Sequence, residues 1–135
     1  MTYELFMLAL CIWREASNQS HAAKVGVGRV IGNRAAHPAW WGRTIVEVIV
    51  HKWQFSGMTA AGDPNLIRWP TEEDPSWADA QAAAKESLDV NSTDSTNGAV
   101  DYFTAPLTAP PAEWGPVTIT ATIDGVTFCA PKKAA

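Results

Sequence analysis

One carboxylate in this 135-residue sequence is placed where it could act as an acid catalyst. Glu15 directly follows the most apolar stretch of the chain, residues 5–13. On a helical wheel, Glu15 lies about 20° from Leu8 and beside Cys11 and Ile12. This position removes water from the carboxyl group, and the negative end of the helix dipole also disfavours its ionised form. Both effects raise the pKa, and a carboxylic acid that is protonated near neutral pH can act as a general acid.

The position of Glu15 also allows roles outside catalysis. Its side chain could pair with the neighbouring Arg14, or it could point into water at the end of a helix. From the position alone both alternatives stay open.

Other catalytic chemistries have weaker support. His21, His37 and His51 lack the i, i+4 spacing of zinc ligands on one helix and have no cysteine nearby. Ser56 and Ser76 have no nucleophile-elbow motif around them. The sequence therefore predicts neither a metal site nor a cofactor.

Composition limits the class of protein and its partners. Apolar residues make up 47% of the chain, which predicts a single packed domain over residues 1–135. The net charge is −4 and no run of basic residues occurs, so neither nucleic acid nor an anionic membrane surface is an expected partner. The apolar run of residues 5–13 is much shorter than the ~20 residues that cross a bilayer, so no membrane insertion is expected. A monomer is expected.

Hydrophobic periodicity predicts four helices, and the first of them is apolar around most of its circumference. It should therefore be the buried, central helix. Gly26 and Gly28 would weaken the second helix unless another backbone packs closely against them, and the first helix is the expected neighbour. The predicted ranges are 2–16, 20–34, 44–51 and 74–89.

The C-terminal stretch changes to a period of two, which is typical of strands. The two-residue turn Asp124-Gly125 pairs Ile123 with Val126 and places the apolar side chains of residues 117–130 on one face of a hairpin. The fold class predicted is α+β, mainly helical with a C-terminal β-hairpin. Cys11 and Cys129 could pair if the two ends of the chain meet, and this is left open.

Residues 53–73 show no sustained periodicity and are predicted to form a long irregular segment, which in a compact domain is usually functional. The sequence contains seven tryptophans, and at least two should be exposed in a groove. Trp53 and Trp69 are the candidates for stacking on a ligand. In the alternative, Trp13 and Trp77 fill the core and three other tryptophans only fill loops: Trp40, Trp41 and Trp69.

Six short motifs occur in a fixed order along residues 5–130. They are Ile12-Trp13-Arg14-Glu15-Ala16 with the glycine-rich residues 25–34, Thr44-Ile45 with Val48-Ile49, Gln54-Phe55-Ser56, residues 80–88, residues 94–99 with Tyr102-Phe103, and residues 123–128. In this order they resemble the SleB-type cell wall hydrolases, which include spore-cortex-lytic enzymes and phage endolysins.

The resemblance implies a small, lysozyme-like catalytic domain. Such a domain would cut bacterial peptidoglycan between N-acetylmuramic acid and N-acetylglucosamine, either as a lytic transglycosylase or as a muramidase. The family's catalytic acid corresponds to Glu15. The residues expected to line the substrate groove are Gln54, Phe55, Ser56, Tyr102 and Phe103, with Trp69 as a further stacking residue.

One position departs from the family's pattern. The family commonly has Glu-Ala-Arg-Gly-Glu, whereas this chain has Glu15-Ala16-Ser17-Asn18-Gln19, with an amide in place of the second acid. Either Glu15 suffices, as in a lytic transglycosylase, or another acid assists it. The acids that could assist are Glu47, Asp63, Glu72 and Asp101.

Two rival functions stay open: a catalytically inactive glycan-binding module of the same fold, and a peptidoglycan amidase or peptidase. The chain begins without a recognisable signal peptide, since Glu4 precedes the apolar run. This favours a phage endolysin that is made in the host cytoplasm, is released by a separate pore protein and acts on the cell wall.

Overall fold

The computed structural model describes residues 1–132, which form five α-helices and one three-stranded antiparallel sheet. The helices are α1 (Tyr3–Ala16), α2 (His21–Ala36), α3 (Ile45–Val50), α4 (Ser56–Thr59) and α5 (Pro75–Leu88). The strands are β1 (Asp101–Phe103), β2 (Val117–Ile123) and β3 (Val126–Pro131). The predicted α+β class, with helices dominating, is confirmed.

Helix α1 is the central helix of the fold, as predicted. Thr2 caps its N-terminus by accepting a hydrogen bond from the amide of Leu5 at 3.1 Å. Every residue from 8 to 14 is buried, and α2, α3, α4 and α5 all pack around this helix. Burial on all sides explains why its sequence is apolar around most of the helix. None of the described helices has the length and hydropathy needed to cross a membrane.

The glycines of α2 allow close packing, but the prediction that α1 is the main neighbour is wrong. A Cβ atom at Gly26 would lie 2.5 Å from the ring of Phe128 on β3, and one at Gly28 would overlap Ser87 on α5. Ile12 on α1 is only the more distant neighbour of Gly28, at 3.4 Å. Sequence periodicity identifies a close contact but not the element that makes it, because that element is remote in the chain.

This packing predicts opposite effects for alanine at two positions of the same helix. Gly26→Ala should lower the free energy of unfolding by about 1–3 kcal/mol, since the new methyl group overlaps a fully buried ring. Gly32→Ala should raise it by about 1 kcal/mol, because nothing lies within 4 Å of the new atom and alanine favours the helix. Urea denaturation of both variants measures the two values. Equal effects would contradict the packing described for α2.

The C-terminal hairpin forms around the predicted turn, with Ile123 opposite Val126. The prediction that all its apolar side chains share one face is wrong for Ile119, which is 54% exposed. Thr120 forms a bulge in β2, because the register moves from Ile119 opposite Cys129 to Ala121 opposite Phe128. One extra residue reverses the alternation on its far side.

The sheet also contains a strand that periodicity did not predict. Strand β1 has only three residues, too few to show an alternating pattern, and it pairs with β3 so that the strand order is β1-β3-β2. This pairing brings Asp101 and Tyr102 next to the helical layer. Cys11 and Cys129 are both buried and both free, so the disulfide considered from the sequence does not form.

The segment predicted to be irregular, residues 53–73, has short ordered pieces. It contains the four-residue helix α4 and a 3₁₀ helix, Pro64–Ile67. Both are a single turn long, so neither leaves a periodic signal in the sequence. This segment crosses the C-terminal end of α1 and contacts Glu15.

Candidate active site

Glu15 lies in the last turn of α1 and is half-buried. The backbone N–H of Gly57, at the start of α4, donates a hydrogen bond of 2.9 Å to its Oε1 atom. Within residues 1–132, no group is hydrogen-bonded to the other oxygen, Oε2. An oxygen that accepts from an N–H is best suited to be the carbonyl oxygen, so the acidic proton belongs on Oε2.

Burial raises the pKa of Glu15 above its ordinary value. The hydrogen bond from Gly57 opposes this effect, the charge of Asp63 adds to it, and the charge of Arg14 opposes it. Desolvation is the largest of these causes, which is the effect expected from the sequence. A carboxyl group in such surroundings keeps its proton to a higher pH than one in water.

Arg14 does not form the ion pair with Glu15 that the sequence left open. Its guanidinium donates to the carbonyl of Arg68, with Nε at 3.1 Å and Nη2 at 2.9 Å, and to the carbonyl of Gly57 at 3.3 Å. The same group lies 4.6 Å from the centre of the Trp69 ring. Arg14 therefore holds the 57–69 segment against the end of α1 and leaves the carboxyl group of Glu15 free to exchange a proton.

The structure contains a cleft of about 630 Å³, and Glu15 is not one of its lining residues. Aromatic side chains dominate its walls, together with a few charged and amide groups. Its lining residues are Arg34, Trp40, Trp41, Trp53, Gln54, Phe55, Asp101, Tyr102, Glu113, Trp114 and Pro131.

The chain from Gln54 to Gly57 connects the cleft to Glu15. Gln54 and Phe55 line the cleft, and Gly57 two residues later binds the carboxyl group. The charge of Glu15 also acts on the pKa of Tyr102, another lining residue. Burial is the main cause that raises the pKa of Tyr102, and the charge of Glu15 adds to it.

A buried arginine forms the floor of the cleft. Arg34 on α2 donates from Nη2 to Asp101 at 2.8 Å, from Nη1 to Gln54 Oε1 at 3.3 Å and from Nε to the carbonyl of Val100 at 2.6 Å. The side chain of Trp41 donates to the carbonyl of Arg34 at 2.8 Å. One guanidinium thus ties together α2, the 53–57 segment and β1.

The remaining residues predicted to line the groove lie outside this cleft. Ser56 donates to Asp63 Oδ2 at 2.6 Å, next to Glu15. Phe103 is 7% exposed and packs against Trp114 at 6.5 Å between ring centres, so its side chain fills the core. Trp69 is 62% exposed but stacks on Arg14 near Glu15.

The expectation that at least two tryptophans are exposed in a groove is confirmed. Trp53 is 77% exposed and Trp40 is 62% exposed, and both line the cleft. Trp13 and Trp77 are buried, as in the alternative that the sequence left open. Trp114 was not predicted to line a groove. Its only signal in the sequence is its position in the loop before β2, between two prolines and a glycine.

Asp63 is the acid among the four candidates whose charge raises the pKa of Glu15. It accepts hydrogen bonds from Ser56 and from the amide of Asn65, and these lower the pKa of Asp63 itself. Glu47 accepts from the amide of Arg43 at the start of α3. Asp101 is paired with Arg34 in the cleft, and Glu72 is exposed.

Within residues 1–132, no group of three or more acidic, histidine or cysteine side chains is arranged to hold a metal ion. His21 lies between Asp79 at 2.5 Å and Glu86 at 2.8 Å, where it links α2 to α5.

The sequence pattern of the family described as Cell Wall Hydrolase matches residues 18–129. This chain belongs to the cell wall hydrolase family. The matched residues include every residue of the cleft except Pro131, but they begin after Glu15, so the role of Glu15 is argued from its geometry.

Solved structures show which fold this cell wall hydrolase has. The chain is 22% identical to the catalytic domain of the germination-specific lytic transglycosylase SleB from Bacillus anthracis, with a TM-score of 0.73 over 96% of both chains. It is also 22% identical to the catalytic domain of the Bacillus cereus SleB protein, with a TM-score of 0.71 over 94% of this chain and 89% of that one. No curated protein sequence matches it. The resemblance to SleB-type proteins is therefore confirmed, and the fold is theirs.

Proposed function

We propose that this protein cleaves the glycan strands of peptidoglycan between N-acetylmuramic acid and N-acetylglucosamine, with Glu15 as the acid and then the base. The observation that carries the proposal is the half-buried Glu15 carboxyl group, with a raised pKa and one oxygen to which no group within residues 1–132 is hydrogen-bonded. The family and the SleB catalytic domains support the same substrate. The aromatic cleft, which Gln54 and Phe55 connect to Gly57 and so to Glu15, suits sugar rings, which have apolar faces.

In the first step, Glu15 Oε2–H protonates the oxygen that bridges the two sugars. The bond between C1 of N-acetylmuramic acid and this oxygen breaks, and positive charge develops at C1 as an oxocarbenium ion. The N-acetylglucosamine part leaves with a hydroxyl group. Glu15 is now a carboxylate, and the Gly57 N–H bond stabilises its charge.

In the second step, the same carboxylate takes the proton from the C6 hydroxyl of N-acetylmuramic acid. The C6 oxygen bonds to C1 and closes a 1,6-anhydro ring, which restores the protonated Glu15. No water is consumed, and one side chain performs both proton transfers. This route fits a chain that has Gln19 where relatives commonly have a second acid.

A hydrolytic route would need a second carboxylate to activate water. Asp63 is the candidate, because its charge acts on Glu15. However, the hydrogen bonds from Ser56 and Asn65 occupy both oxygens of Asp63 and weaken it as a base. We therefore favour the lytic transglycosylase outcome.

Mass spectrometry of fragments released from purified cell walls tests this proposal. Fragments that end in 1,6-anhydro-N-acetylmuramic acid are expected. Reducing N-acetylmuramic acid ends would instead establish hydrolysis, and free stem peptides would establish an amidase or peptidase. Wild-type protein that binds cell walls but releases nothing would be a glycan-binding module.

The pH dependence of cleavage should report the pKa of Glu15. The acid must be protonated to react, so the rate falls as pH rises through its pKa, and a raised pKa keeps the enzyme active to higher pH. Asp63→Asn removes a charge that raises this pKa while keeping the shape of the side chain. The alkaline limb of the kcat/KM profile should therefore move to lower pH.

The exposed acid Glu73 provides the control for this experiment. Glu73→Gln makes the same change of charge in the loop before α5 and should leave the alkaline limb in place. If Asp63→Asn leaves the limb unmoved or shifts it to higher pH, the charge of Asp63 does not act on the catalytic acid.

A further inference from the structure

The floor of the cleft presents one fixed hydrogen-bond donor. Arg34 can only donate, so the atom of Gln54 that it contacts must be the amide oxygen. The orientation of the carboxamide is thereby settled, and its Nε2 group is left as a donor. Within residues 1–132, no group accepts a hydrogen bond from Nε2.

The same arginine fixes an acceptor beside this donor. Asp101 Oδ1 accepts from Arg34 Nη2 at 2.8 Å, and among the described residues nothing donates to its Oδ2. Gln54 and Asp101 bind neighbouring nitrogens of one guanidinium, so one arginine holds both side chains while Gln54 Nε2 and Asp101 Oδ2 stay available to a ligand. Gln54 and Asp101 both line the cleft.

Aromatic rings pack against the arginine that holds this donor and acceptor, and they line the same cleft. Phe55 and Trp41 pack on Arg34, with distances of 5.8 Å and 5.6 Å from the guanidinium carbon to the ring centres, and Tyr102 lines the same cleft. A ligand group that fits would therefore carry a carbonyl oxygen, an N–H and a small apolar end.

An acetamido group has all three features. Its carbonyl can accept from Gln54, its N–H can donate to Asp101, and its methyl group can rest against the aromatic rings. We infer that Gln54 and Asp101, held by Arg34 at the floor of the cleft, form the specificity-determining site for the 2-acetamido group of an N-acetylated sugar. Arg34 is the positioning residue. This inference rests on the proposed function, because it names the sugar substituent that the cleft selects in the substrate.

Two tetrasaccharides that share a β-1,4 backbone test the inference. Chitotetraose has an acetamido group at C2, cellotetraose has a hydroxyl group there, and both are neutral. Titration of the Glu15→Gln protein, followed by calorimetry and tryptophan fluorescence, should show chitotetraose binding at least about tenfold more tightly. A site with a donor and an acceptor left unpaired rejects the analogue that cannot bind them. Equal affinities, or no binding of chitotetraose, would overturn the inference.

One variant removes the Gln54 donor and the other removes the Asp101 acceptor, and each keeps its hydrogen bond to Arg34. Gln54→Glu keeps the acceptor toward Arg34 but removes the donor, and Asp101→Asn keeps Oδ1 but replaces the acceptor by a donor. Each should bring the ratio of affinities below about threefold. The first adds a negative charge and the second removes one, so a loss in both variants cannot come from charge alone. A ratio unchanged in either variant would contradict the assignment of that residue.

Gln81→Glu is the matched control for the first variant, because Gln81 bonds within α5 to the carbonyl of Trp77. It should leave the ratio of affinities unchanged.

A peptide amide is the other ligand group with a carbonyl and an N–H, so free stem peptide is added as a competitor. The peptide is expected not to displace chitotetraose. Displacement would assign the floor to a peptide and overturn the inference.

The proposed function and this inference fail in different ways. Glu15→Gln protein that still cleaves cell walls would disprove the role of Glu15. The tetrasaccharide titrations measure binding only, so they test the floor whatever the outcome of the cleavage assay.

Discussion

Glu15→Gln should lower the rate of cell wall cleavage at least about a thousandfold, because a carboxamide can neither give nor take the proton that both steps require. The size of the effect follows from the single-acid mechanism. General acid or base catalysis by one group typically contributes about 10²–10⁴ in rate, and here the same group serves in both steps. Loss of turbidity in a suspension of purified cell walls measures the rate.

The same substitution should not weaken the fold. Glutamine keeps an oxygen that accepts the Gly57 N–H, and it cannot ionise in a half-buried position. The folded protein raises the pKa of Glu15 above the ordinary value of 4.5, so ionising this group costs stability at any pH above the folded pKa. The variant should therefore melt at an equal or higher temperature than the wild type near pH 8. This difference should shrink as the pH falls through the folded pKa towards the ordinary value, and it should be absent below the ordinary value.

Glu73→Gln serves as the control, since it makes the same chemical change at an exposed loop position. It should cleave cell walls at the wild-type rate. A Glu15→Gln protein that keeps a tenth or more of the wild-type rate would show that another group supplies the proton.

Periodicity predicts the parts of this fold that depend on residues close together in the chain. Leu8 and Ile12 share one face of α1, and their spacing is enough to predict a buried helix with Glu15 at its end. The Asp124-Gly125 turn fixes the hairpin in the same way, because a two-residue loop allows one register. The bulge at Thr120 is a different case, since the local sequence keeps its alternating pattern through the bulge.

The cleft depends on contacts between residues far apart in the chain, and no local pattern predicts them. Arg34 and Asp101 are 67 residues apart, and neither was predicted to line a groove. Asp101 was named only as a possible second acid, and its pairing with Arg34 depends on the unpredicted strand β1. The resemblance to SleB-type proteins identified Gln54 and Tyr102 as groove residues, and both do line the cleft. The monomeric state and the role as a phage endolysin stay predictions.

Gly57→Ala should reduce cleavage about a hundredfold, because the new methyl group would displace the acid that Gly57 positions. A Cβ atom at this position would lie 2.9 Å from Glu15 Oε1, 3.2 Å from Asn65 Cβ and 3.4 Å from Arg14 Cβ. The nearest of these atoms is the end of a flexible side chain, so the carboxyl group moves more easily than the backbone does. A displacement of about 1 Å at a reacting group can cost about 10² in rate.

The position of the carboxyl group, rather than the stability of the protein, should explain this loss. Gly57→Ala should stay folded, with near-ultraviolet circular dichroism like that of the wild type and a cost of about 1–3 kcal/mol in the free energy of unfolding. Gly32→Ala adds the same methyl group where nothing lies within 4 Å, and it should cleave at the wild-type rate. If Gly57→Ala cleaves cell walls as fast as Gly32→Ala, the Gly57 contact does not position the acid. Glu15 would then have to act from a position different from the one its hydrogen bond to Gly57 defines.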